Sequence, residues 1–330
     1  MLHITLRQLK VFESVARHLS FSRAAEDLHL TQPAVSMQIK QLEDSIDLPL
    51  FEQMGKKIYL TDAGRELYHY SRTISQQLAD MELALDELKG LERGKLNISV
   101  VSTANYFAPH LLAKFCQRYP DITVSLNVSN RETVLKHLSD NVIDVAIMGQ
   151  PPEDLDIAAE SFMENPLVVI APPDHPLCRM RKIPVTRLEQ ETFLVREPGS
   201  GTRGAMERFF ASHHISLSRG METDTSEAIK QAVQAGMGLG ITSLHTVELE
   251  LETKRLKILD VEDFPIMRYW HIVHRKHKRL SSVAQAFKEF LLKEARGLMS
   301  HNRVAEDWYR PTPTQRRQRQ QDYKESEGKY

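Results

Sequence analysis

Residues 21–50 constrain this chain most, because they carry two short helical patterns joined by a tight polar turn. Ala24 and Ala25 are small enough to let another helix approach closely. Thr31 and Pro33 suit the start of the next helix, because a hydroxyl can cap free N–H groups there and proline lacks an N–H that the first turn leaves unbonded. The segment therefore has the outline of a helix-turn-helix.

The two helices are predicted to have different faces. Ser22 is expected to cap the first helix. In the second helix, apolar residues recur at spacings of four, three and four and form an inward face: Val35, Ile39, Leu42 and Ile46. The opposite face carries short or amide-bearing side chains that can reach base edges or phosphates in a major groove: Gln32, Ser36, Gln38 and Lys40. This polar face predicts a helix that reads DNA.

Amphipathic helix pairs also occur in many globular proteins, so the spacing alone leaves a purely structural pair open. The flanking sequence favours DNA binding. Upstream, a third apolar stripe completes the core that a helix-turn-helix needs: Leu6, Leu9, Phe12, Val15, Ala16 and Leu19. Downstream, apolar runs flank a hairpin-like segment with a basic tip at Gly55, Lys56 and Lys57. A basic wing of this kind fits contacts to the DNA backbone.

A long helical repeat follows, over about residues 63–91. Its apolar residues are separated by three, four, four, three, four and three positions: Leu67, Tyr70, Ile74, Leu78, Met81, Leu85 and Leu88. Such a spacing suits a helix that pairs with its twin, although a single helix packed on its own domain is the structural alternative. Because a protein with one recognition helix needs a partner to read two half-sites, we interpret this segment as a dimer linker.

From residue 95 the pattern changes to short apolar runs that alternate with helical segments. Among these runs are LNISVV, ITVSLNV, VIDVAIM, PLVVIA, TFLV and GLGITS. Alternation of this kind is typical of a sheet covered by helices on both faces. The pattern predicts an α/β ligand-binding module, in which the ligand lies where strand ends meet helix N-termini.

Three loops of this module have the chemistry to bind an anion: hydroxyls and backbone donors in the first, a strand end in the second, and glycines with two guanidinium groups in the third. The candidate effector-binding residues are Ser102, Thr103, Ala104 and Asn105; Gly149 and Gln150; and Arg196, Ser200, Gly201, Thr202 and Arg203. Structural alternatives exist for each loop. The hydroxyls can be simple helix caps, the glycines a strand-to-helix turn, and the arginines partners of surface carboxylates.

Composition and the remaining motifs restrict the class of protein. The formal charge is −1, so any DNA-binding positive charge must be local. Cys116 and Cys178 lack the spacing of a metal site, no apolar stretch approaches the roughly 20 residues of a membrane span, and the N-terminus does not resemble a signal peptide. We therefore expect a cytoplasmic protein without metal, cofactor or membrane contact.

Neither catalysis nor dinucleotide binding has a motif in this chain. There is no G-x-S-x-G elbow, no histidine-rich metal spacing and no obvious nucleophile beside a base, so an enzyme is not expected. Gly236, Gly238 and Gly240 lack the spacing and lysine of a phosphate-binding loop, and we interpret them as a helix-to-strand turn. A solute receptor would share the α/β module. It would need an export signal, and it would not need a helix-turn-helix.

Longer strings carry a specific resemblance. RQLKVFESVARHLSFSRAAEDLHLTQPAVSMQIKQLE and LPLFEQMGKKIYLTDAG resemble the DNA-binding domain of the LysR-type transcriptional regulators. VVSTANYFAPHLL, DVAIMGQPP, NPLVVIAPPDHPL and VREPGSGTRGAMERFF resemble the CbbR branch, which regulates RuBisCO operons. The similarity runs over about residues 6–292. Asp47 and Gln53 stand where the family usually has glycine and arginine. Gln53 brings a wing arginine contact into question, although Lys56 and Lys57 could bind phosphate instead. Asp47, at the expected end of the recognition helix, must adopt a turn conformation that glycine accepts more easily.

The resemblance implies a fold class and a division into domains. The class is α/β, with an N-terminal winged helix-turn-helix (residues 1–62), a linker helix (63–92) and a two-subdomain effector domain of the periplasmic-binding-protein type (93–299). Subdomain I would comprise residues 95–165 and 267–299, and subdomain II residues 166–266. Residues 300–330 are polar and of mixed charge, and we expect this tail to be disordered.

The residues and the resemblance together predict a DNA-binding transcriptional regulator. Its candidate DNA-binding residues are Ser22, Arg23, Thr31, Gln32, Pro33, Ser36, Gln38, Lys40, Gln53, Lys56 and Lys57. The resemblance implies an activator of the RuBisCO operon that binds promoter DNA as a homodimer or homotetramer, works with RNA polymerase and responds to a phosphorylated metabolite or NADPH. Regulation of another metabolic operon, and a small-solute receptor, are the alternatives.

Overall fold

The computed structural model describes residues 4–55, 57–87, 94–152 and 155–299. The chain divides into two compact units, residues 1–89 and residues 90–330. Lys56, Leu88 and the tail from residue 300 lie outside the described residues. The two units have separate apolar cores, so each is described by itself.

The first unit is a winged helix-turn-helix followed by a long helix, and this part of the predicted fold class is confirmed. Its elements are α1 (Leu6–His18), α2 (Phe21–Asp27), α3 (Gln32–Ile46), β1 (Phe51–Met54), β2 (Lys57–Leu60) and α4 (Asp62–Glu87). The two strands form an antiparallel hairpin, the wing. The inward stripes of α1 and α3 meet around Phe12, Val35 and Leu42, each of which is fully buried.

Local capping explains where the first helices begin. Thr5 and Gln8 form a capping box at α1, in which each side chain bonds the other residue's backbone N–H. The cap of α2 is Ser20, whose hydroxyl accepts from the backbone N–H of Arg23, so the prediction that Ser22 caps this helix is wrong. Ser22 lies in the first turn and is exposed. Thr31 occupies the N-cap position of α3 without a side-chain cap bond.

The long helix α4 has two kinds of contact within its unit. Leu67 packs on the helix-turn-helix core, and the Ser75 hydroxyl donates to Glu13 of α1 over 2.8 Å. In contrast, Tyr70, Ile74 and Met81 are 56%, 40% and 52% exposed. The first half of α4 therefore anchors the helix on its own domain and leaves an apolar stripe exposed.

The second unit contains two five-stranded sheets. Its elements are β3 (Gly94–Val101), α5 (Ala108–Arg118), β4 (Ile122–Ser129), α6 (Arg131–Ser139), β5 (Val145–Met148), β6 (Ile157–Glu164), β7 (Leu167–Ala171), β8 (Thr192–Arg196), α7 (Gly201–Ser212), β9 (Ser218–Thr223), α8 (Ser226–Gln234), β10 (Leu239–Ser243), α9 (Glu248–Glu252), β11 (Lys257–Ile258), β12 (Tyr269–Arg275) and α10 (Ser282–Met299). Short 3-10 turns cover Ser102–Tyr106, Pro176–Arg179, Val185–Gln190 and Leu244–Thr246.

The chain builds the first sheet, leaves it, builds the second and returns. The first sheet has the order β4-β3-β5-β12-β6 and the second the order β11-β7-β10-β8-β9. The chain leaves after β6 and returns just before β12, and the two crossings are joined by a backbone hydrogen bond from Asn165 N to Arg268 O over 2.7 Å. The glycines at 236 and 238 form the turn from α8 to β10, with φ of 80° and 147°.

Asp47 ends α3 in the left-handed region, at φ 60° and ψ 31°. Replacing it with glycine removes the clash of Cβ with the backbone, which costs about 1–2 kcal/mol, but adds about 0.5–1 kcal/mol of unfolded-chain entropy. Asp47→Gly is therefore expected to stabilise the first unit by about 0.5–1 kcal/mol. Urea unfolding of the full chain, monitored on the transition of this unit, measures the change.

Asp44→Gly is the matched control, because Asp44 is exposed on the same helix, one turn earlier. There glycine only weakens the helix, by up to about 1 kcal/mol, and the stability should fall. A loss of stability in Asp47→Gly as well would contradict the strain argument.

Candidate functional site

The candidate recognition surface of the first unit is the outward face of α3. Gln32 and Lys40 are exposed, whereas Ser36 and Gln38 are half-buried. The Gln32 amide donates to the Ser36 hydroxyl over 2.9 Å, so these two predicted base-reading residues form one polar group on the helix. Of the other candidates in this region, Thr31, Pro33, Ser22 and Arg23 are all exposed.

The prediction omitted two exposed residues of the same helix. Met37 is 55% exposed, and Gln41 is exposed one turn further along. Both fall on the outward face that Pro33 begins, since side chains three and four positions apart share a face of a helix. Met37 offers an apolar contact of the kind that a thymine methyl group accepts, and Gln41 offers an amide. The helical spacing in the sequence contained this signal.

In the wing, Gln53 has a structural task. Its side-chain amide donates to the Gly55 carbonyl over 3.0 Å, which holds the turn between β1 and β2. Lys57, at the start of β2, is exposed, and Lys56 lies outside the described residues. The wing therefore presents at least one free ammonium group for phosphate contact.

In the second unit a cavity of about 420 Å³, including its open mouth, lies between the two sheets at the chain crossings. Its wall includes seven of the predicted effector residues: Ser102, Thr103, Gly149, Arg196, Ser200, Gly201 and Thr202. It also includes Val101, Arg131, Asn165, Glu197, Arg268 and Trp270. The three predicted loops thus reach one cavity, though not through every residue.

The N-terminus of α7 contributes polar groups to this cavity. Ser200 is the N-cap residue of this 12-residue helix, but its side chain makes no capping hydrogen bond. The first helical residues, Gly201 and Thr202, line the wall beside it. Free backbone N–H groups at a helix N-terminus, together with a hydroxyl that has no capping role, favour an anion.

Sequence analysis missed the two arginines that give the cavity its charge. Arg131 is the first residue of α6, and Arg268 lies at the returning crossing. Both are half-buried and donate to backbone carbonyls, Arg131 to Gln150 over 2.6 Å and Arg268 to Gly201 over 2.8 Å. Neither has a carboxylate partner among the ion pairs of the described residues.

Burial and neighbouring positive charges lower the pKa of both guanidinium groups. Burial, and then the charges of Arg131 and Arg208, lower the pKa of Arg268 to about 10. Burial and the charge of Arg208 also lower the pKa of Arg131. Both groups stay charged at neutral pH, and no ion pair among the described residues neutralises either of them. Such an arrangement favours an anion.

Arg196, a predicted effector residue, lines the cavity, but each of its side-chain nitrogens already donates within the protein. The side chain is 6% exposed and bonds Glu197 over 2.7 and 3.0 Å, the Ser226 hydroxyl over 2.9 Å and the Asp224 carbonyl over 2.9 Å. It also donates to Ser102 over 3.4 Å. Arg196 therefore organises the wall and is neutralised by its neighbour, Glu197.

Arg203 needs a correction, because its side chain is not part of the cavity wall. Its guanidinium pairs with Glu207 over 2.9 Å and with Glu222 over 2.6 Å, and donates to the Arg196 carbonyl over 2.8 Å. These carboxylates raise its pKa. The structural alternative, pairing with surface carboxylates, is the one that the geometry favours for this residue.

Three other predicted residues also lie outside the cavity wall. Ala104 is fully buried in the core, and Asn105 is exposed. Gln150 contributes its backbone carbonyl, which holds Arg131 in place. The loop at Ser102–Tyr106 is a 3-10 turn of its own and does not cap α5, which begins at Ala108.

Two buried side chains of the wall have polar atoms without a hydrogen-bond partner. These are Asn165 Oδ1 and Trp270 Nε1, in residues that are 2% and 1% exposed. Buried polar groups are normally paired, so an acceptor and a donor without partners beside two arginines are consistent with a bound polar ligand.

The described residues contain no group of three or more histidine, cysteine, aspartate or glutamate side chains able to hold a metal ion. None of the helices described there combines the length and the apolar character that crossing a membrane requires.

A helix-turn-helix with a wing and a separate module with an anion cavity define a ligand-responsive DNA-binding regulator. Residues 6–65 match the family model of the bacterial regulatory helix-turn-helix proteins of the lysR family, and residues 89–296 match the LysR substrate binding domain. The chain belongs to the LysR family of transcriptional regulators, which bind DNA. The predicted family and fold class are confirmed.

Relatives make the comparison more specific. The chain is 58% identical over 294 residues to a RuBisCO operon transcriptional regulator of Allochromatium vinosum, covering 89% of this chain and 97% of the relative. It is 50% identical over 291 residues to the regulator CbbR of Rhodospirillum rubrum, covering 88% and 97%. These relatives are named as regulators, which confirms the prediction that the chain is not an enzyme.

A solved structure resembles the second unit. The regulatory domain of CcmR from Synechocystis PCC6803, in complex with 2-PG, is 42% identical and has a TM-score of 0.59. The match covers 61% of this chain and 96% of that domain. The resemblance therefore concerns the effector module.

The cavity predicts that Arg268, and not Arg203, determines anion affinity. In Arg268→Gln, the loss of a charge-assisted contact should weaken binding of inorganic phosphate by about 10- to 100-fold. The phosphate-dependent rise in melting temperature of the full chain measures this. Arg203→Gln is the matched control and should keep the phosphate response within about twofold. The reverse pattern would show that Arg203, and not Arg268, determines the affinity for the anion.

Proposed function

We propose that this chain is a transcriptional activator of a RuBisCO operon, whose DNA binding is controlled by a small phosphorylated anion in the cavity of the second unit. The uncompensated pair Arg131 and Arg268 is the observation that carries the effector half of the proposal. The identity of 58% to a RuBisCO operon regulator, over nearly its full length, supports the choice of operon.

The chemistry of the cavity supports a compact, doubly charged ligand. A phosphate group fits the two arginines and the N-terminus of α7, because each supplies N–H donors to oxygen acceptors. The similar domain of CcmR is described with 2-PG, which is 2-phosphoglycolate, a molecule with both a phosphate and a carboxylate. The same features admit phosphoenolpyruvate and sugar phosphates. NADPH is the larger alternative, and another metabolic operon is the alternative target.

The candidate DNA-binding surface is the exposed face of α3 together with the wing. Its candidate residues are Ser22, Arg23, Thr31, Gln32, Pro33, Ser36, Gln38, Lys40, Gln53, Lys56 and Lys57, and the structure adds Met37 and Gln41 as exposed neighbours. Base edges are read from the helix and phosphates from the wing. Gln53 acts in this proposal by holding the wing turn.

Assembly follows from the exposed stripe of α4. Tyr70, Ile74 and Met81 lie on a helix that is already anchored to its own domain, so a second copy of the chain is the proposed cover. A homodimer presents two recognition helices to the two halves of an inverted repeat, and two dimers make the proposed tetramer. RNA polymerase is the further proposed partner, and the cytoplasm, where promoter DNA lies, is the proposed location.

Effector control needs a ligand that prefers one arrangement of the second unit over another. The cavity lies between two sheets that two crossings connect, so a ligand held from both sides favours the closed arrangement. In the assembled protein this shift changes the spacing of the recognition helices and the bend of the DNA.

The first test is a fluorescence-anisotropy titration of the full chain on RuBisCO promoter DNA, with unrelated DNA as competitor. Specific binding that survives the competitor, and that changes with 2-phosphoglycolate, phosphoenolpyruvate, ribulose bisphosphate or NADPH, supports both halves of the proposal. Binding without any effector response would reject the effector half, and absence of specific binding at moderate salt would reject the operon.

The α3 surface gives a second prediction. Gln32→Ala should lower the preference for promoter DNA over unrelated DNA by about tenfold, because amide contacts to base edges contribute about 1–3 kcal/mol of discrimination. Lys57→Ala is the control, since loss of a phosphate contact weakens both complexes alike and lowers the salt slope by about one. If Gln32→Ala left the preference unchanged, Gln32 would not be a base reader.

A further inference from the structure

Outside the cavity wall, a further polar contact joins the two halves of the second unit. Tyr106 closes the 3-10 turn after β3, and Glu227 lies in the first turn of α8. The Tyr106 hydroxyl donates to Glu227 Oε2 over 3.0 Å. Tyr106 follows β3 of the first sheet, and Glu227 lies between β9 and β10 of the second. This hydrogen bond therefore connects the two sheets.

Lys230 of α8 stabilises this contact by bonding Glu227 and packing against the Tyr106 ring. Its ammonium group is buried, at 3% side-chain exposure, and bonds Glu227 and Glu250 over 2.8 Å each. It also lies 4.6 Å from the centre of the Tyr106 ring. A buried cation in contact with an aromatic ring and two carboxylates is a well-fixed group. The ring and the hydroxyl of Tyr106 are therefore both held by α8.

Both ends of this contact are tied to the cavity. Ser102 and Thr103 line the cavity and belong to the same 3-10 turn as Tyr106. On the other side, Ser226 begins α8 and its hydroxyl accepts from Arg196, another residue of the cavity wall. A movement that opens the cavity by separating this turn from α8 must break the contact.

We propose that Tyr106 and Glu227 are positioning residues that form a latch between the two sheets and hold the cavity in its closed arrangement. The two residues do not contact the effector, but they determine its affinity and its dissociation rate. The latch is stabilised by Lys230 on the second sheet's side. The effector part of this inference rests on the proposed function, whereas the latch itself is a property of the chain alone.

The charges agree with this role. The hydrogen bond from Lys230 lowers the pKa of Glu227, so its carboxylate is ionised at neutral pH and accepts from the tyrosine. Glu227 is partly exposed, which limits the strength of the contact. A latch of moderate strength can be opened by thermal motion and still shift the balance between the two arrangements.

The expected effect follows from population-shift arithmetic. Apparent affinity falls in proportion to the fraction of molecules in the binding-competent arrangement. Loss of one partly exposed hydrogen bond to a charged group should lower the ratio of closed to open molecules by about three- to tenfold. Because the effector leaves from the open arrangement, the weaker closed state should appear mainly as faster dissociation.

The first measurement is hydrogen exchange of the full chain without added ligand, followed by mass spectrometry. Tyr106→Phe keeps the ring over Lys230 and removes only the hydroxyl, so peptides covering residues 102–107 and 226–234 should exchange about three- to tenfold faster. Tyr119→Phe is the matched control. Tyr119 lies at the end of α5 and its ring packs on Phe115, and exchange in those two peptides should not change.

Glu227→Gln and the double variant with Tyr106→Phe complete a cycle. If the two residues act through one hydrogen bond, the double variant should exchange no faster than the more strongly affected single variant. Additive effects would show that the residues act separately. Unchanged exchange in Tyr106→Phe would overturn the latch, whatever the effector proves to be.

The effector part is tested with 2-phosphoglycolate. Its dissociation from Tyr106→Phe should be about three- to tenfold faster than from the unaltered chain, with Tyr119→Phe unaffected. If exchange responds but dissociation does not, the latch does not control the site. If the unaltered chain fails to bind 2-phosphoglycolate, the proposed effector is rejected, while the exchange result still judges the latch.

Discussion

The backbone hydrogen bond from Asn165 N to Arg268 O, at 2.7 Å, is the contact on which the second unit depends, because it joins the two chain crossings between its sheets. Two adjacent, antiparallel passages of backbone allow the sheets to change their mutual orientation while they stay connected. The same contact places the side chains of Asn165 and Arg268 in the cavity wall. The position where the unit can bend is thus also the position of the proposed ligand site.

The positive charge of Arg131 and Arg268 distinguishes the cavity from the rest of the second unit. Half-burial of a guanidinium without a carboxylate is unfavourable, since a desolvated charge needs compensation. The chain compensates Arg196 with Glu197 and Arg203 with Glu207 and Glu222, although carboxylates of the same kind are absent from the ion pairs of Arg131 and Arg268 among the described residues. The stability lost at these two arginines becomes available to an anionic ligand as binding energy.

Much of the architecture could be predicted from the sequence, because local periodicity determines it. The inward stripe of α3, the wing hairpin, the long α4 and the alternation of strands and helices all follow from spacing. The cap of α2 was misplaced by two residues, from Ser20 to Ser22, because both serines suit the position and backbone geometry decides between them. The left-handed end of α3 at Asp47 agrees with the turn conformation expected there, and it was the family resemblance, not a local glycine, that indicated it.

The sequence indicated which loops line the cavity, but it did not indicate which arginines give the cavity its charge. Strand ends before helices correctly directed attention to Ser102, Gly149 and Ser200, and the same rule applied to the end of β4 would have found Arg131. Arg268 carries no local signal, because only the return of the chain to the first sheet brings it beside Gly201. Which arginines are neutralised depends on carboxylates distant in sequence, such as Glu222 for Arg203. A ligand can shift the arrangement of the sheets only by its difference in affinity for the two states, so the proposed regulation depends on contacts that a ligand makes from both sheets at once.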